Sequence, residues 1–160
     1  MLARSDAGLE ACLVPLQQAG VSVEPVLTFD ASRGHSTVTF DGAEAEILGE
    51  TSLNPEDWES LLDGTAVLLA WEQLGLAETA LTQARDYAVQ RFAFGRAIGS
   101  YQAIKHKLAN VYVKNTLARS NAYYGVWALS EGSDELPVAA ATARVAAIQA
   151  STYAAEENIQ

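Results

Sequence analysis

The pattern of apolar and polar positions changes period once along this chain, near residue 54. Upstream, short apolar runs at 9–16, 21–29, 36–40 and 43–48 alternate with turn residues. Ser36-Thr37-Val38-Thr39-Phe40 alternates with period two, and Val21, Val23, Thr37 and Thr39 are β-branched, so these runs read as strands. Gly20, Arg33-Gly34 and Asp41-Gly42 punctuate them, and Asp41-Gly42 predicts a hairpin because both residues tolerate positive φ. Four such strands make an incomplete sheet, with edges that a stretch of this length struggles to cover by itself.

Downstream the period is helical. Asn54-Pro55-Glu56-Asp57 supplies an N-cap side chain, a proline at the first helical position and two acids in the first turn. Leu74, Ala77, Leu81, Ala84 and Ala88 then recur at three- and four-residue steps, one face of a helix running to about Arg91. Gly95 and Gly99 stop it, and Ser100 is placed to cap a second helix carrying Ile104, Leu108, Val111 and Leu117 as far as Glu131-Gly132. Asp134 can cap a third, alanine-rich helix with Pro137 tolerated in its first turn. The fold class is thus mainly α with a β segment. Residues 1–53 form the rear of a β-domain, and 54–160 form long antiparallel helices that read as three members of a four-helix bundle.

Composition narrows the function classes. The chain has 160 residues, 49% apolar and 19% charged, within the range of folded globular domains. No apolar run approaches the roughly 18–20 residues of a membrane span, and MLARSDAGLE breaks before a signal-peptide core forms. Cys12 is the single cysteine and reads as core rather than nucleophile, and no Cys/His spacing suits a metal. A cytoplasmic location is the expectation. Residues 1–64 carry 12 acids and 2 bases, which accounts for the whole net charge of −10. By contrast, 85–119 holds seven bases and only Asp86 as an acid. That local excess suits an anionic partner with a few phosphates, while the acidic remainder opposes long nucleic acid.

The stretch from Arg85 to Asn110 resembles the acyl-CoA dehydrogenase family, whose run Y-x-x-x-R-x-x-F-G-[RK]-x-I-x-x-[FY]-Q-x-[IV]-x-H-x-L-A links two helices of a C-terminal bundle. The match is gapless over Tyr87, Arg91, Phe94-Gly95-Arg96, Ile98, Tyr101-Gln102, Ile104, His106 and Leu108-Ala109, and Gly75 suits the same family helix. Residues 9–50 look like the rear of the family's middle β-domain. The resemblance implies an FAD-dependent enzyme that oxidises an acyl-CoA between its α and β carbons. It implies electron-transferring flavoprotein as the acceptor and homo- or hetero-oligomers of acyl-CoA dehydrogenase subunits. By the same resemblance Arg91 meets the FAD pyrophosphate, typically of a neighbouring subunit. Phe94 lies beside the adenosine part, Gln102 touches the cofactor, and Gln160 opens the family's Q-x-x-G-G-x-G segment. On residue types alone, Arg91 also suits a helix-terminal cation, Phe94 a core aromatic and Gln102 a surface amide.

Two departures from the family pattern bear on activity. The glutamate that often follows the Q-x-x-G-G-x-G segment is expected beyond Gln160, so no catalytic base is assigned. Other members carry the base in a D-x-E-R tetrad, which falls here on Asp63-Gly64-Thr65-Ala66. Threonine cannot serve as the α-proton base and alanine cannot grip a CoA phosphate. Asp63 keeps the family identity, with an expected place near the pantetheine of the substrate; a small shift of register would leave Glu59 or Glu72 as the fallback carboxylate. Such substitutions resemble non-catalytic partners in heteromeric acyl-CoA dehydrogenases, including those acting on steroid side chains, and leave an inactive assembly module as the alternative.

Overall fold

The structure is a computed structural model and describes residues 1–6, 8–30, 32–49 and 53–160. The chain divides into two units, Met1–Trp58 and Glu59–Gln160.

In the first unit β1 (Leu2–Ser5) and β2 (Gly8–Leu13) are antiparallel, and the far edge of β2 pairs with β5 (Glu46–Ile47) through Cys12↔Ile47 and Leu13↔Glu46. A separate hairpin joins β3 (Val21–Val26) to β4 (His35–Phe40) in the register Val21↔Phe40 to Val26↔His35. Two corrections to the sequence reading follow. The strand at Leu2–Ser5 lies in a segment too polar to show a period. Asp41-Gly42 is not a hairpin turn between paired neighbours: it swings the chain away from β4 so that β5 reaches β2. Gly20 makes that swing possible. Its φ is +81° and a Cβ there would run into the Asp41 carbonyl, whose own N–H donates to the Gly20 carbonyl at 2.7 Å. The Gln18 amide meets both backbone groups of Glu44, at 2.8 and 3.1 Å, in place of a strand ladder. Cys12 is the one apolar side chain buried in this unit among the described residues, while Leu27 and Phe29 stand fully in solvent.

The second unit is built on α1 (Pro55–Gln90), α2 (Gln102–Glu131) and α3 (Leu136–Ile159). Asn54 Oδ1 accepts from the Glu56 N–H at 3.3 Å, so the Asn-Pro start works as its chemistry suggests. Gly132 ends α2 in the left-handed region, with the Ser133 N–H returning to the Ala128 carbonyl at 3.0 Å. Three details differ from the sequence reading. Tyr101, not Ser100, precedes α2, because the Ser100 hydroxyl turns back to the Ala97 carbonyl. Glu135, not Asp134, precedes α3, and the Glu135 N–H is taken by the Ser133 hydroxyl. Leu117 faces solvent; the buried stripe of α2 is Val111, Asn115, Ala118, Ala122, Gly125 and Ala128.

That stripe explains the packing. Small residues let α2 and α3 approach closely, with Ala139, Ala143, Ala147, Ala150 and Ala154 fully buried on the α3 side. A Cβ at Gly125 would lie 3.1 Å from Val67 of α1 and 3.2 Å from Ala143 of α3, so all three helices meet at this glycine. The larger apolar volume comes from α1, through Val67, Leu74 and the half-buried Trp71. The Trp71 indole N–H donates to the Ala122 carbonyl at 3.2 Å, and its ring meets Tyr123 edge-on at 5.0 Å. Asn115 is 2% exposed, yet neither its amide nitrogen nor its oxygen has a hydrogen-bond partner among the described residues. An unpaired buried amide costs about 1–3 kcal/mol, so Asn115→Leu, similar in shape, is expected to stabilise the folded chain by an amount in that range. Denaturant unfolding of the two proteins measures it, and a lower midpoint for the leucine variant is the contrary result.

Candidate functional site

The residues between α1 and α2 form a small rigid device. α1 ends at Gln90, before either glycine, because the chain turns at once into a two-stranded hairpin, β6 (Phe92–Ala93) and β7 (Arg96–Ala97). The two loop residues both have positive φ, Phe94 at 53° and Gly95 at 80°. This is the pattern of the tight turn that matches strand twist, in which asparagine or glycine is the usual first residue. Phe94 is the only non-glycine residue with positive φ among those described, and it is 97% exposed. A fully exposed phenyl ring in the left-handed region gains nothing from burial, which removes the core reading of Phe94 and marks backbone strain at an external position.

Three further contacts fix the hairpin. The Ile98 N–H donates to the Arg91 carbonyl at 2.8 Å, closing its base. A single helical turn of the tighter kind, Ile98–Ser100, follows. Gly99 there passes so close to α1 that a Cβ would sit 3.0 Å from the Ala88 carbonyl oxygen. Tyr101 completes the clamp, its hydroxyl donating to the Ala93 carbonyl at 3.0 Å while the Arg96 guanidinium lies 3.9 Å above its ring.

The basic stretch resolves into committed and uncommitted cations. Arg85 pairs with Asp86, and Arg119 pairs with Glu78 across α1 and α2, an interaction that holds the Arg119 guanidinium above its ordinary range. Lys107 bonds Glu157 at 2.7 Å and the Gln160 side-chain oxygen at 3.1 Å. Lys114 lies over the Tyr153 ring and Arg96 over Tyr101. Arg91 and Lys105 are exposed, and their side chains make no such contact among the described residues. Gln102 is likewise exposed in the first turn of α2, where no side chain caps the free N–H groups. Arg91, Phe94 and Gln102 thus share one end of the bundle, two on the hairpin and one just past it. Gln160 joins that end through Lys107, at the rim of a cleft of about 540 Å³ lined also by Leu81, Tyr87, Ile98 and Leu108.

Asp63 does not join them. It is half-buried near the start of α1, and 28 residues of helix separate it from Arg91, about 40 Å at 1.5 Å per residue. Thr65 beside it is exposed and donates its hydroxyl to the Leu61 carbonyl of its own helix at 2.8 Å. What sequence reasoning missed is Tyr101. Its place in the matched run was visible, but its bond to Ala93 depends on the hairpin and not on any helical period.

A bundle of long helices with a short hairpin at this junction is also found in acyl-CoA dehydrogenases of known structure. Among solved structures, butyryl-CoA dehydrogenase from Megasphaera elsdenii superposes with a TM-score of 0.89 at 25% identity over 99% of this chain and 44% of that one. A variant of the Tcur3481–Tcur3483 steroid ACAD superposes with a TM-score of 0.85 at 28% identity over 98% of this chain and 42% of that one. In sequence, acyl-CoA dehydrogenase IpdE2 of Mycobacterium tuberculosis is 38% identical over 87% of this chain and 39% of its own length. The human mitochondrial short-chain specific acyl-CoA dehydrogenase is 30% identical over 99% of this chain and 39% of its own length. Residues 58–160 match the family model for the acyl-CoA dehydrogenase C-terminal domain. The chain belongs to the acyl-CoA dehydrogenase family, and spans about two fifths of the length of these relatives.

The strain at Phe94 is separable from its chemistry. Asn-Gly is the favoured pair for this turn, so Phe94→Asn is expected to raise stability by about 1 kcal/mol. Thermal unfolding of the two proteins reads the change; a destabilised asparagine variant would mean that the ring is held by contacts other than those described.

Proposed function

We propose that this chain is part or a subunit of an FAD-dependent acyl-CoA dehydrogenase, supplying cofactor-binding and subunit contacts. When bound, FAD supplies the hydride acceptor for oxidation of the acyl-CoA between its α and β carbons. The observation that carries the reading is the junction of α1 and α2. Arg91 offers an uncommitted guanidinium suited to a diphosphate. Phe94 offers an exposed ring suited to a flat aromatic group, and Gln102 offers an amide beside the free N–H groups of α2. Gln160 belongs to the same end, with its side-chain oxygen already held by Lys107. Asp63, at the far end of α1, is assigned to the pantetheine part of an acyl-CoA. The distance along α1 is consistent with cofactor contacts directed at a neighbouring subunit and substrate contacts within the chain's own. Electron-transferring flavoprotein is the acceptor this reading implies, and acyl-CoA dehydrogenase subunits, like or unlike, are the partners. The steroid ACAD among the solved structures favours a steroid-type acyl-CoA, within the wider class of fatty or steroid side-chain acyl-CoA substrates.

A second reading is favoured by Thr65 and Ala66, which stand where some members carry the base and a phosphate-gripping arginine. Here the chain is a catalytically silent assembly module of the same fold, and Thr65 spends its hydroxyl on its own helix. Acyl-CoA-dependent reduction of an electron acceptor separates the two. With the chain assembled with the rest of its protein or partner, the first reading expects turnover and the second expects flavin binding or association without it.

The cofactor assignment is tested by Arg91→Ala in that assembly. Removing a charged hydrogen bond to phosphate is expected to weaken FAD binding by about 1.5–3 kcal/mol while leaving the fold intact. Flavin titration followed by absorbance measures the affinity, and unchanged binding refutes the assignment of Arg91.

A further inference from the structure

We propose that Tyr101 is a positioning residue for the cofactor contacts, acting through the hairpin and not by touching the ligand. The proposal rests on the reading of Arg91, Phe94 and Gln102 as FAD-facing, and adds the means by which they are held in one arrangement.

Tyr101 occupies the single position that borders both arms of the site. Its backbone is the N-cap of α2, in extended conformation at φ −76° and ψ 135°, so the next residue is Gln102. Its hydroxyl reaches back across the hairpin to the Ala93 carbonyl at 3.0 Å. Ala93 lies between Arg91 and Phe94, two residues past the first and one before the second, and pairs with Arg96 in the short ladder. Arg96 in turn lays its guanidinium on the Tyr101 ring at 3.9 Å. The ring is therefore gripped by both strands of the hairpin, one through a carbonyl and one through a cation.

Such a clamp is needed here. Two residue pairs make a ladder too short to hold itself, and its turn carries a phenylalanine in a backbone region that disfavours it. Arg91 and Phe94 are exposed, so neither is fixed by packing. Without the hydroxyl the turn is free to relax out of the left-handed conformation, and the phenyl ring and guanidinium lose their common orientation. Binding then has to order them again, which lowers affinity without removing any contact to the ligand.

Tyr101→Phe removes the hydroxyl and keeps the ring for Arg96. In the flavin-binding assembly this variant is expected to raise the FAD dissociation constant by about three- to tenfold, the scale of one neutral hydrogen bond. A double-mutant cycle with Arg91→Ala supplies the readout that a merely structural residue would not move. Because part of the effect of Tyr101 passes through the group that Arg91 presents, the double variant is expected to bind FAD more tightly than the sum of the two single losses predicts, the remaining loss being that carried by Phe94 and Gln102. Amide exchange of the Ile98 N–H, bonded to the Arg91 carbonyl, should quicken in Tyr101→Phe even without cofactor. If Tyr101→Phe leaves affinity unchanged while Arg91→Ala weakens it, positioning is refuted and the cofactor reading stands. If neither variant alters FAD binding, the cofactor reading itself is refuted. Fully additive losses, or unchanged exchange at Ile98, also overturn the proposal.

Discussion

The helical unit depends on the close approach of α2 and α3. Ala118, Ala122, Gly125 and Ala128 on one side meet Ala139, Ala143, Ala147 and Ala150 on the other, all nearly solvent-free. Each buries little apolar area, so the stabilisation comes from many short contacts between backbones and not from large anchors. Gly125 is the narrowest point. Any side chain there would have to displace Val67 and Ala143 together, which couples the position of α1 to the α2–α3 pair. Trp71 adds the directional element, since its indole N–H must reach one particular carbonyl, that of Ala122.

That rigid base is what holds a short hairpin in one place. The end of α1 and the start of α2 are fixed by the bundle, and Gly99 passes against Ala88 with no room for a side chain. Six residues must then reverse the chain in the space left. The tight turn demands positive φ at both of its central residues, and a phenylalanine occupies the first of them. Local propensity and the observed residue disagree there, which is the kind of conflict that concentrates at functional positions. Electrostatics point the same way. Most of the basic stretch is consumed by Glu78, Asp86, Glu157 and two tyrosine rings, so the anion-binding capacity suggested by the charge excess narrows to Arg91 and Lys105.

The helices were legible because their signals are local. Asn54-Pro55, the alanine steps of α1 and Gly132 each act within a turn or two, and the structure follows them to the residue or nearly so. Their starts were less so: the Ser100 hydroxyl read as a cap turns back to the Ala97 carbonyl, and α3 starts one residue after the Asp134 read as its cap, with the Glu135 N–H taken by the Ser133 hydroxyl. Leu117 misled for a different reason. A leucine in helical register with Val111 looks like core, but a seam built for alanine and glycine has no room for it, and it points outward. Strand order was the least legible part. β5 pairs with β2 across more than thirty residues of chain, held by Gln18 and by the turn at Gly20, and no periodic pattern encodes such a pairing. The family run singled out Arg91, Phe94 and Gln102, which the structure brings to one end of the bundle, but the role of Tyr101 in holding the hairpin was not legible, because its partner is a carbonyl.

The separation of Asp63 from Arg91 carries the last step. At 1.5 Å per residue the helix sets them about 40 Å apart along its axis, and no side-chain motion shortens a helix whose inner face from Gly64 to Ala77 is buried in the bundle. One cofactor molecule cannot touch both in the same chain. If both residues serve the reaction that the family performs, α1 is a spacer that delivers one end to one site and its other end to a second. The distance between a donor of substrate contacts and a donor of cofactor contacts would then be set by helix length, a quantity that the bundle keeps constant. Substitutions in the middle of α1 that bend it would disturb both ends at once, whereas changes at the hairpin would be felt only at one. On that condition, a bundle of this construction would separate the two tasks mechanically while keeping them in register.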